Sequence, residues 1–330
     1  MKNTREKNGL IRNAASVFWN FNQGRLRALW RILGALICTA ILTFIFGAPF
    51  FAASGAGPAP YIEKIVLYIA ALVSVYAATR FLDKRKFSDT GIYMQQDWWI
   101  DLGFGLFLGA LLMTIIFFVE LAAGWITITD LFYTPNPNQP FLVAILLPVI
   151  LLLIVGIVEE LLFRGYLLLN LAEGFNLSVI GPRWAIILSW LLTSAIFGFA
   201  HAISPNATII SSVYIALIAV WLGLGYVLTG SLAIPIGIHI TWNLFQGYVY
   251  GFPVSGGRDF STTFVAIQQG GPDMWTGGVF GPEAGLLGLL AAFIGVLLII
   301  IWVRFRYHKL ALFTAIAELP AGLRMNGEIR

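Results

Sequence analysis

The run FLVAILLPVILLLIVGIVEELLFRGYLLLNL, residues 141–171, decides the fold class of this chain. About 20 apolar residues are enough for a helix to cross a bilayer, and this run is longer. It also contains Glu159, Glu160 and Arg164. A charged side chain at the bilayer centre costs roughly 2.5–3.5 kcal/mol on insertion scales, so such groups usually face the protein interior and have a function there. The run therefore predicts a membrane-spanning helix that carries part of a functional site.

The composition of the whole chain agrees with a membrane protein. Of its 330 residues, 59% are hydrophobic and 11% are charged, whereas soluble domains carry about 25% charged residues. The formal net charge of +4 is modest, and no basic stripe on a soluble domain predicts a nucleic-acid partner. The single cysteine, Cys38, excludes a disulfide within the chain and a cysteine-based zinc site.

Windows of about 20 apolar residues predict eight membrane-spanning helices. They cover residues 30–53, 64–81, 101–126, 141–171, 183–203, 209–228, 233–250 and 284–303. Stretches rich in Gly, Pro and Asn separate several of them, as expected for loops. The predicted fold class is therefore all-α, a polytopic membrane helical bundle of about eight transmembrane helices.

Basic residues flank these spans on one side of the membrane. They are Lys2, Arg5, Lys7, Arg12, Arg25, Arg27 and Arg31 before or at the first span, Arg80, Lys84, Arg85 and Lys86 around the end of the second, and Arg304, Arg306 and Lys309 after the last. The loops at 54–63, 127–140 and 204–208 have only Lys64 at one margin. The positive-inside rule then predicts that both termini are cytoplasmic. We expect a multi-pass integral protein of the cell (plasma) membrane.

The polar residues of the fourth span differ in their partners. Glu160 and Arg164 are four residues apart, so on a helix they share a face and are expected to form an ion pair. Glu159 lies about 100° around the helix from Glu160 and is left without a local partner. A carboxylate held in this way can act as a general base. The alternative is that both glutamates only bind Arg164 and neighbouring helices.

Two histidines lie on other predicted spans. His201 follows Phe197 by four residues, and His239 precedes Asn243 by one helical turn. An imidazole and a carboxamide at this spacing can aim at one point, where they would stabilise the charge that develops on a carbonyl oxygen. Together with Glu159 they form a set of groups suited to acyl cleavage by water. The alternative is that each histidine only hydrogen-bonds a neighbouring helix.

Three motifs occur in a fixed order on separate hydrophobic helices: Glu-Glu-x-x-x-Arg at 159–164, Phe-x-x-x-His at 197–201 and His-x-x-x-Asn at 239–243. In this arrangement the chain resembles the CPBP family of intramembrane proteases. That family comprises type II CAAX prenyl endopeptidases and bacteriocin-processing enzymes, also called Abi proteins. The resemblance covers residues 141–250, and the remaining helices are compatible with it.

The resemblance implies an intramembrane endopeptidase that cleaves a membrane-associated peptide or protein, either prenylated and CAAX-type or bacteriocin-like. Membrane lipids and such a substrate are the expected partners, and nucleic acid is not. Glu159 would be the base that activates water, and His201 would hold that water. His239 and Asn243 would form the oxyanion hole.

The same resemblance assigns Glu160 and Arg164 a supporting role and leaves the cofactor open. We favour a glutamate-dependent mechanism without an obligatory metal. The alternative is a zinc ion bound by Glu159, His201 and His239, which could present oxygen and nitrogen ligands and leave a fourth position for water.

Five regions follow from these expectations. They are a cytoplasmic N-terminal segment (1–29), the first three spans (30–126), a CPBP-like catalytic core (141–250), an external loop (251–283), and the last span with a cytoplasmic tail (284–330). The external loop is rich in Gly and is expected to be a surface lid or a loose connection.

The depths of the candidate residues disagree when they are counted along the predicted helices. Glu159 would lie about 18 Å from the cytoplasmic end of its helix, His239 about 9 Å and His201 about 27 Å. A site between the cytoplasmic half and the middle of the bilayer is the best compromise.

Two other functions stay open at this point. One is a proton-coupled transporter, in which the same Glu and His side chains relay protons. The other is a catalytically silent immunity or scaffold protein of the same fold. No internal repeat is visible in the sequence, which counts against a transporter built from inverted repeats, and the intact motifs argue against a loss of activity.

Overall fold

The computed structural model describes residues 15–51, 59–257 and 262–323. Seven of its helical segments are long and apolar enough to cross a membrane. The predicted polytopic helical bundle is therefore confirmed, and the protein is an integral membrane protein. Lys2, Arg5, Lys7 and Arg12, which contribute to the predicted orientation, lie outside the described residues.

Helices dominate the element order. They are α1 (Ala28–Phe51), α2 (Ala59–Ala77), α3 (Gln96–Ala122), α4 (Phe141–Glu160), α5 (Leu169–Phe175), α6 (Gly181–Ala200), α7 (Ile209–Thr229), α8 (Ala233–Asn243), α9 (Asp273–Thr276) and α10 (Leu286–Tyr307). The strands are β1 (Trp19–Asn20), β2 (Arg25–Leu26), β3 (Ile126–Tyr133) and β4 (Thr263–Gln269), paired antiparallel as β1–β2 and β3–β4.

The fourth predicted span is present and is longer than expected. Helix α4 continues through a π-helical segment, Leu161–Leu168, directly into α5. Together they form one apolar segment of 35 residues, Phe141–Phe175, so it is tilted or extends beyond the bilayer. π-Helical turns are rare and occur frequently at functional sites. This one begins directly after Glu160.

The predicted span at residues 233–250 forms the eleven-residue α8 followed by a six-residue π-helix, Leu244–Val249. It is too short to count among the seven long apolar helices. Every residue of α8 before Asn243 is buried. The helix therefore lies in the centre of the bundle, and the other helices surround it.

Glycines allow α8 to pack directly against the backbone of α3. A Cβ atom at Gly105 would lie 2.4 Å from the Ile234 carbonyl oxygen, and one at Gly237 would lie 2.6 Å from the Leu102 carbonyl oxygen. Small residues permit this close approach between membrane helices. Helix α3 therefore fixes the position of α8, which carries His239.

Buried charges join several segments at one end of the bundle. Glu173, near the end of α5, accepts hydrogen bonds from Arg25 (2.6 Å), Arg31 (2.7 Å) and Arg85 (2.7 Å). Arg85 also donates to the Glu318 carbonyl oxygen at 2.6 Å. We call these three arginines around Glu173 the arginine cluster. The β1–β2 ribbon, the loop after α2, the end of α5 and the C-terminal tail meet there.

The opposite end contains a small sheet that the sequence analysis did not predict. Strand β3 pairs with β4 from Ile126↔Gln269 to Tyr133↔Thr263. The third predicted span reached residue 126, but α3 ends at Ala122, because Gly124 adopts a φ of +70° that is typical just beyond a helix C-terminus. The external loop is not a loose connection, since its strand β4 is held by β3.

Candidate active site

A cavity of about 660 Å³ lies between α1, α2, α4, α6, α7 and α8. Its wall is mostly apolar and includes several side chains of α4. The four side chains predicted to carry catalysis all line it: Glu159, His201, His239 and Asn243. The fold therefore brings these residues, which come from α4, the turn after α6 and α8, to one cavity.

Glu159 lies in the last turn of α4, and its side chain is 17% exposed. The Tyr68 hydroxyl on α2 donates a hydrogen bond of 2.6 Å to Glu159 Oε1. The other carboxylate oxygen, Oε2, lies 3.7 Å from His239 Nε2. Glu159 has no local partner, as predicted, but a distant one holds it. Sequence reasoning missed Tyr68, which lies 91 residues earlier in the chain.

The predicted ion pair between Glu160 and Arg164 is present, with Arg164 Nη1 at 2.8 Å from Glu160 Oε1. Both side chains are buried. Arg164 Nη2 donates to the Ala219 carbonyl oxygen of α7 at 2.9 Å, and its guanidinium lies 4.9 Å from the centre of the Phe197 ring. A buried charge needs such compensation. The pair therefore connects the end of α4 to α6 and α7.

His239 lies between the two glutamates. Its Nδ1 is 2.8 Å from Glu160 Oε1; because a carboxylate only accepts, Nδ1 carries the proton of this hydrogen bond. The ring nitrogen left to face Glu159 and the cavity is Nε2. Helix α8 comes this close to α4 because Gly156 has no side chain: a Cβ atom there would lie 2.6 Å from Ile240 Cγ1.

Asn243 is the last residue of α8 and lies one turn beyond His239. Both side chains line the same cavity. This agrees with the prediction from their spacing, because residues four apart on a helix lie on the same face. The π-helix Leu244–Val249 follows directly.

His201 begins the 3₁₀ turn His201–Ile203 at the end of α6. Its Nδ1 is 2.8 Å from the Phe197 carbonyl oxygen, so Nδ1 donates the hydrogen bond and Nε2 is left for the cavity. The Phe197 ring packs beside both imidazoles, with centroid distances of 4.7 Å to His201 and 6.3 Å to His239. The Phe-x-x-x-His spacing thus has a physical basis, since the carbonyl one turn earlier orients the histidine.

A third carboxyl group, Glu283, lines the cavity from the external loop. It is buried and accepts hydrogen bonds from the Ser255 backbone N–H and from the Gln246 side chain. Burial raises the pKa of the Glu283 carboxyl, and the hydrogen bonds from Ser255 and Gln246 act in the opposite direction. Glu283 therefore attaches the segment at 254–257 to the start of α10. No spacing in the sequence indicated this contact.

The disagreement in predicted depth is resolved because α8 does not begin at the end of the bundle. The Leu232 N–H donates to the Gly91 carbonyl oxygen at 3.0 Å, and a Cβ atom at Gly165 would lie 2.9 Å from Leu232 Cδ1. Gly165 precedes Phe175, the end of α5, by ten residues. The start of α8 therefore lies about 15 Å inside the bundle.

Measured along the helices from the end with the arginine cluster, Glu159, His239 and His201 lie at similar depths of about 24, 25 and 30 Å. His201 is also only one turn from Ser204, at the opposite end of the bundle. Along the helices the site therefore lies farther from the arginine cluster than the predicted compromise placed it. The site lies nearer to the end that carries the β3–β4 sheet.

The contacts of these side chains also bear on the zinc alternative. Within the described ranges, no group of three His, Cys, Asp or Glu side chains is placed to hold a metal ion. The Nδ1 atoms of His201 and His239 are bound to the Phe197 carbonyl and to Glu160, which orients both rings and leaves each Nε2 toward the cavity. In this arrangement Glu159, His201 and His239 do not form such a group, and the zinc alternative stays a prediction for the chelator experiment. We therefore derive no step through a metal.

Comparison with protein families identifies residues 140–245 as a match to the family described as Type II CAAX prenyl endopeptidase Rce1-like. The match contains all four predicted catalytic residues and the ion pair of α4. The resemblance drawn from the three motifs is therefore confirmed. Comparison with curated proteins and with solved structures finds no match.

Proposed function

We propose that this chain, whose residues 140–245 belong to the Rce1-like family of type II CAAX prenyl endopeptidases, is an intramembrane endopeptidase. One observation carries the proposal: Glu159, His201, His239 and Asn243 line a single cavity of about 660 Å³. A base, a second polar group for water and two groups for an oxyanion are the parts that peptide hydrolysis needs.

In the first step, Glu159 removes a proton from a water molecule while the water oxygen attacks the peptide carbonyl carbon. The Tyr68 hydrogen bond holds Oε1 of Glu159, which leaves Oε2 to receive the proton. His201, oriented by its bond to the Phe197 carbonyl, presents Nε2 to the same water. When the C–N bond breaks, Glu159 returns the proton to the leaving amine nitrogen. Positioned proton transfer of this kind contributes about 10²–10⁴-fold to the rate.

The negative charge that forms on the carbonyl oxygen is stabilised by His239 Nε2 and the Asn243 carboxamide. For Nε2 to donate while Nδ1 stays bonded to Glu160, the imidazole carries a proton on both nitrogens. The two flanking carboxylates, Glu159 and Glu160, lie 3.7 Å and 2.8 Å from the ring nitrogens and compensate the positive charge of that form. Loss of one oxyanion donor typically costs about 10²–10³-fold in kcat.

Glu160 and Arg164 do not touch the substrate in this mechanism. Glu160 positions His239 through Nδ1, and Arg164 neutralises the buried carboxylate. These two are positioning residues, which is the supporting role that their motif implies.

The substrate is a membrane-associated peptide or protein. The cavity is within the range of small-ligand pockets, about 300–1,000 Å³, and apolar side chains such as Leu151, Leu152 and Val155 line it. It can therefore accept an apolar peptide segment together with the bond to be cut. A prenylated CAAX-type chain and a bacteriocin-like peptide both satisfy this description.

The test is a cleavage assay with the purified protein in detergent. Membrane-associated peptides, with a prenylated CAAX peptide among them, are incubated with wild type and with Glu159→Gln, and the products are identified by mass spectrometry. We expect wild type to cut at a defined bond and Glu159→Gln to release no product. A parallel reaction with a chelator decides the zinc alternative.

Glu120→Gln is the matched control, because Glu120 is a buried glutamate on α3 that does not line the cavity. It should cut like wild type. Normal cleavage by a folded Glu159→Gln variant would reject the catalytic assignment. A wild type that cuts no peptide while moving protons across a membrane would instead favour the transporter hypothesis.

A further inference from the structure

The two ends of the bundle differ in their basic side chains. The end with the arginine cluster holds the lysines and arginines of segments 25–31, 80–86 and 304–309, together with Arg183. The other end, formed by residues 123–140, 204–208, 251–257 and 262–285, has no lysine or arginine among these residues, with Lys64 at its margin; Arg258 lies outside the described residues. By the positive-inside rule, the end with the arginine cluster faces the cytoplasm.

The rim of the cavity belongs to the opposite end. Ser204 and Pro205, just after α6, line the cavity, as do Ser255 and Glu283 of the external loop. His201 is one turn from Ser204. The reacting groups therefore lie just below the end that has few basic side chains.

Toward the arginine cluster, the bundle is tightly packed. Arg164, Tyr166 and Leu168 are at most 2% exposed. Leu232, at the start of α8, packs directly against Gly165. A substrate that came from this side would have to pass through buried side chains.

We infer that the cavity takes its substrate from the non-cytoplasmic face of the membrane, an inference that rests on the proposed function. The substrate class is then a membrane-anchored peptide whose scissile bond lies at the non-cytoplasmic surface, with apolar side chains that fit the wall of the cavity. A prenylated chain anchored in the cytoplasmic leaflet presents its bond at the packed side and is not the substrate of this site.

The test is labelling of single cysteines with a membrane-impermeant maleimide polyethylene glycol, on intact cells that produce the protein. Cys38→Ala provides a background without cysteine. Ser204→Cys reports on the rim, and Ser88→Cys, at an exposed serine near the arginine cluster, is its matched control. Asn138→Cys and Lys309→Cys form a second pair at exposed positions of the two ends, in case one of the first pair does not fold.

We expect Ser204→Cys and Asn138→Cys to be labelled fully in intact cells, and Ser88→Cys and Lys309→Cys to be labelled only after permeabilisation. The reverse pattern would overturn the inference. Labelling does not depend on activity, so a failure of the cleavage assay rejects the proposed function and leaves the orientation to be judged by the label. Reversed labelling with intact cleavage rejects only the side of access.

Discussion

At the residue scale, the position of the Glu159 carboxylate depends on Tyr68. The hydroxyl of Tyr68 donates a hydrogen bond of 2.6 Å to Oε1, and this side chain also lines the cavity. A hydrogen bond to a charged group contributes about 1.5–3 kcal/mol. Tyr68 is therefore a positioning residue that orients the base toward the bond to be cut.

Tyr68→Phe should lower kcat by roughly 10- to 100-fold, which is the rate equivalent of losing one such hydrogen bond. KM should change little, because the phenyl ring keeps the shape of the cavity wall. Steady-state cleavage kinetics measure both constants. Tyr250→Phe is the control, since the Tyr250 hydroxyl bonds Thr114 and does not line the cavity. A rise in KM without a fall in kcat would contradict the positioning role.

At the element scale, the Glu160–Arg164 pair holds α4 against its neighbours. Arg164 bonds Glu160 at 2.8 Å and the Ala219 carbonyl of α7 at 2.9 Å. Removing one member of a buried pair costs about 3–5 kcal/mol, because the other charge is left without compensation. Arg164→Met should therefore destabilise the fold strongly, and cleavage should fall with it because Glu160, the partner of His239, is no longer held by Arg164.

Thermal unfolding in detergent measures this effect. Arg306→Met is the matched control, since Arg306 pairs with Asp97 at the surface, where both side chains are partly exposed. Exposed pairs contribute little to stability, so this variant should unfold close to the wild-type temperature. Equal losses in the two variants would show that the buried pair does not hold the helices together.

At the element scale, spacing along the sequence predicts contacts within one helix but not contacts between distant elements. Glu160 and Arg164, and likewise His239 and Asn243, are one turn apart, so helical periodicity was enough to predict a shared face. Tyr68 and Glu283 come from other elements, with no spacing that relates them to the site. Strands β3 and β4 pair across more than 100 residues of sequence, and no local signal relates them.

At the scale of the whole molecule, apolar windows were sufficient to predict a polytopic helical bundle, and the structure agrees. Apolar windows could not predict how deep each site residue lies in the membrane, because a hydropathy window treats every helix as if it ran from one membrane surface to the other. The start of α8 lies about 15 Å inside the bundle, where Leu232 bonds Gly91. This offset brings His239 level with Glu159 and moves the site away from the arginine cluster.

The measurement that tests the central claim most directly is a double-mutant cycle on kcat with Glu159→Gln, His201→Ala and the double variant. If both residues act on one water molecule, each single change should lower kcat by roughly 10²–10⁴-fold. The double variant should then be about as slow as the slower single variant, because residues that act as a unit are not additive. Losses that multiply in the double variant, or wild-type turnover by Glu159→Gln, would contradict a shared site for water.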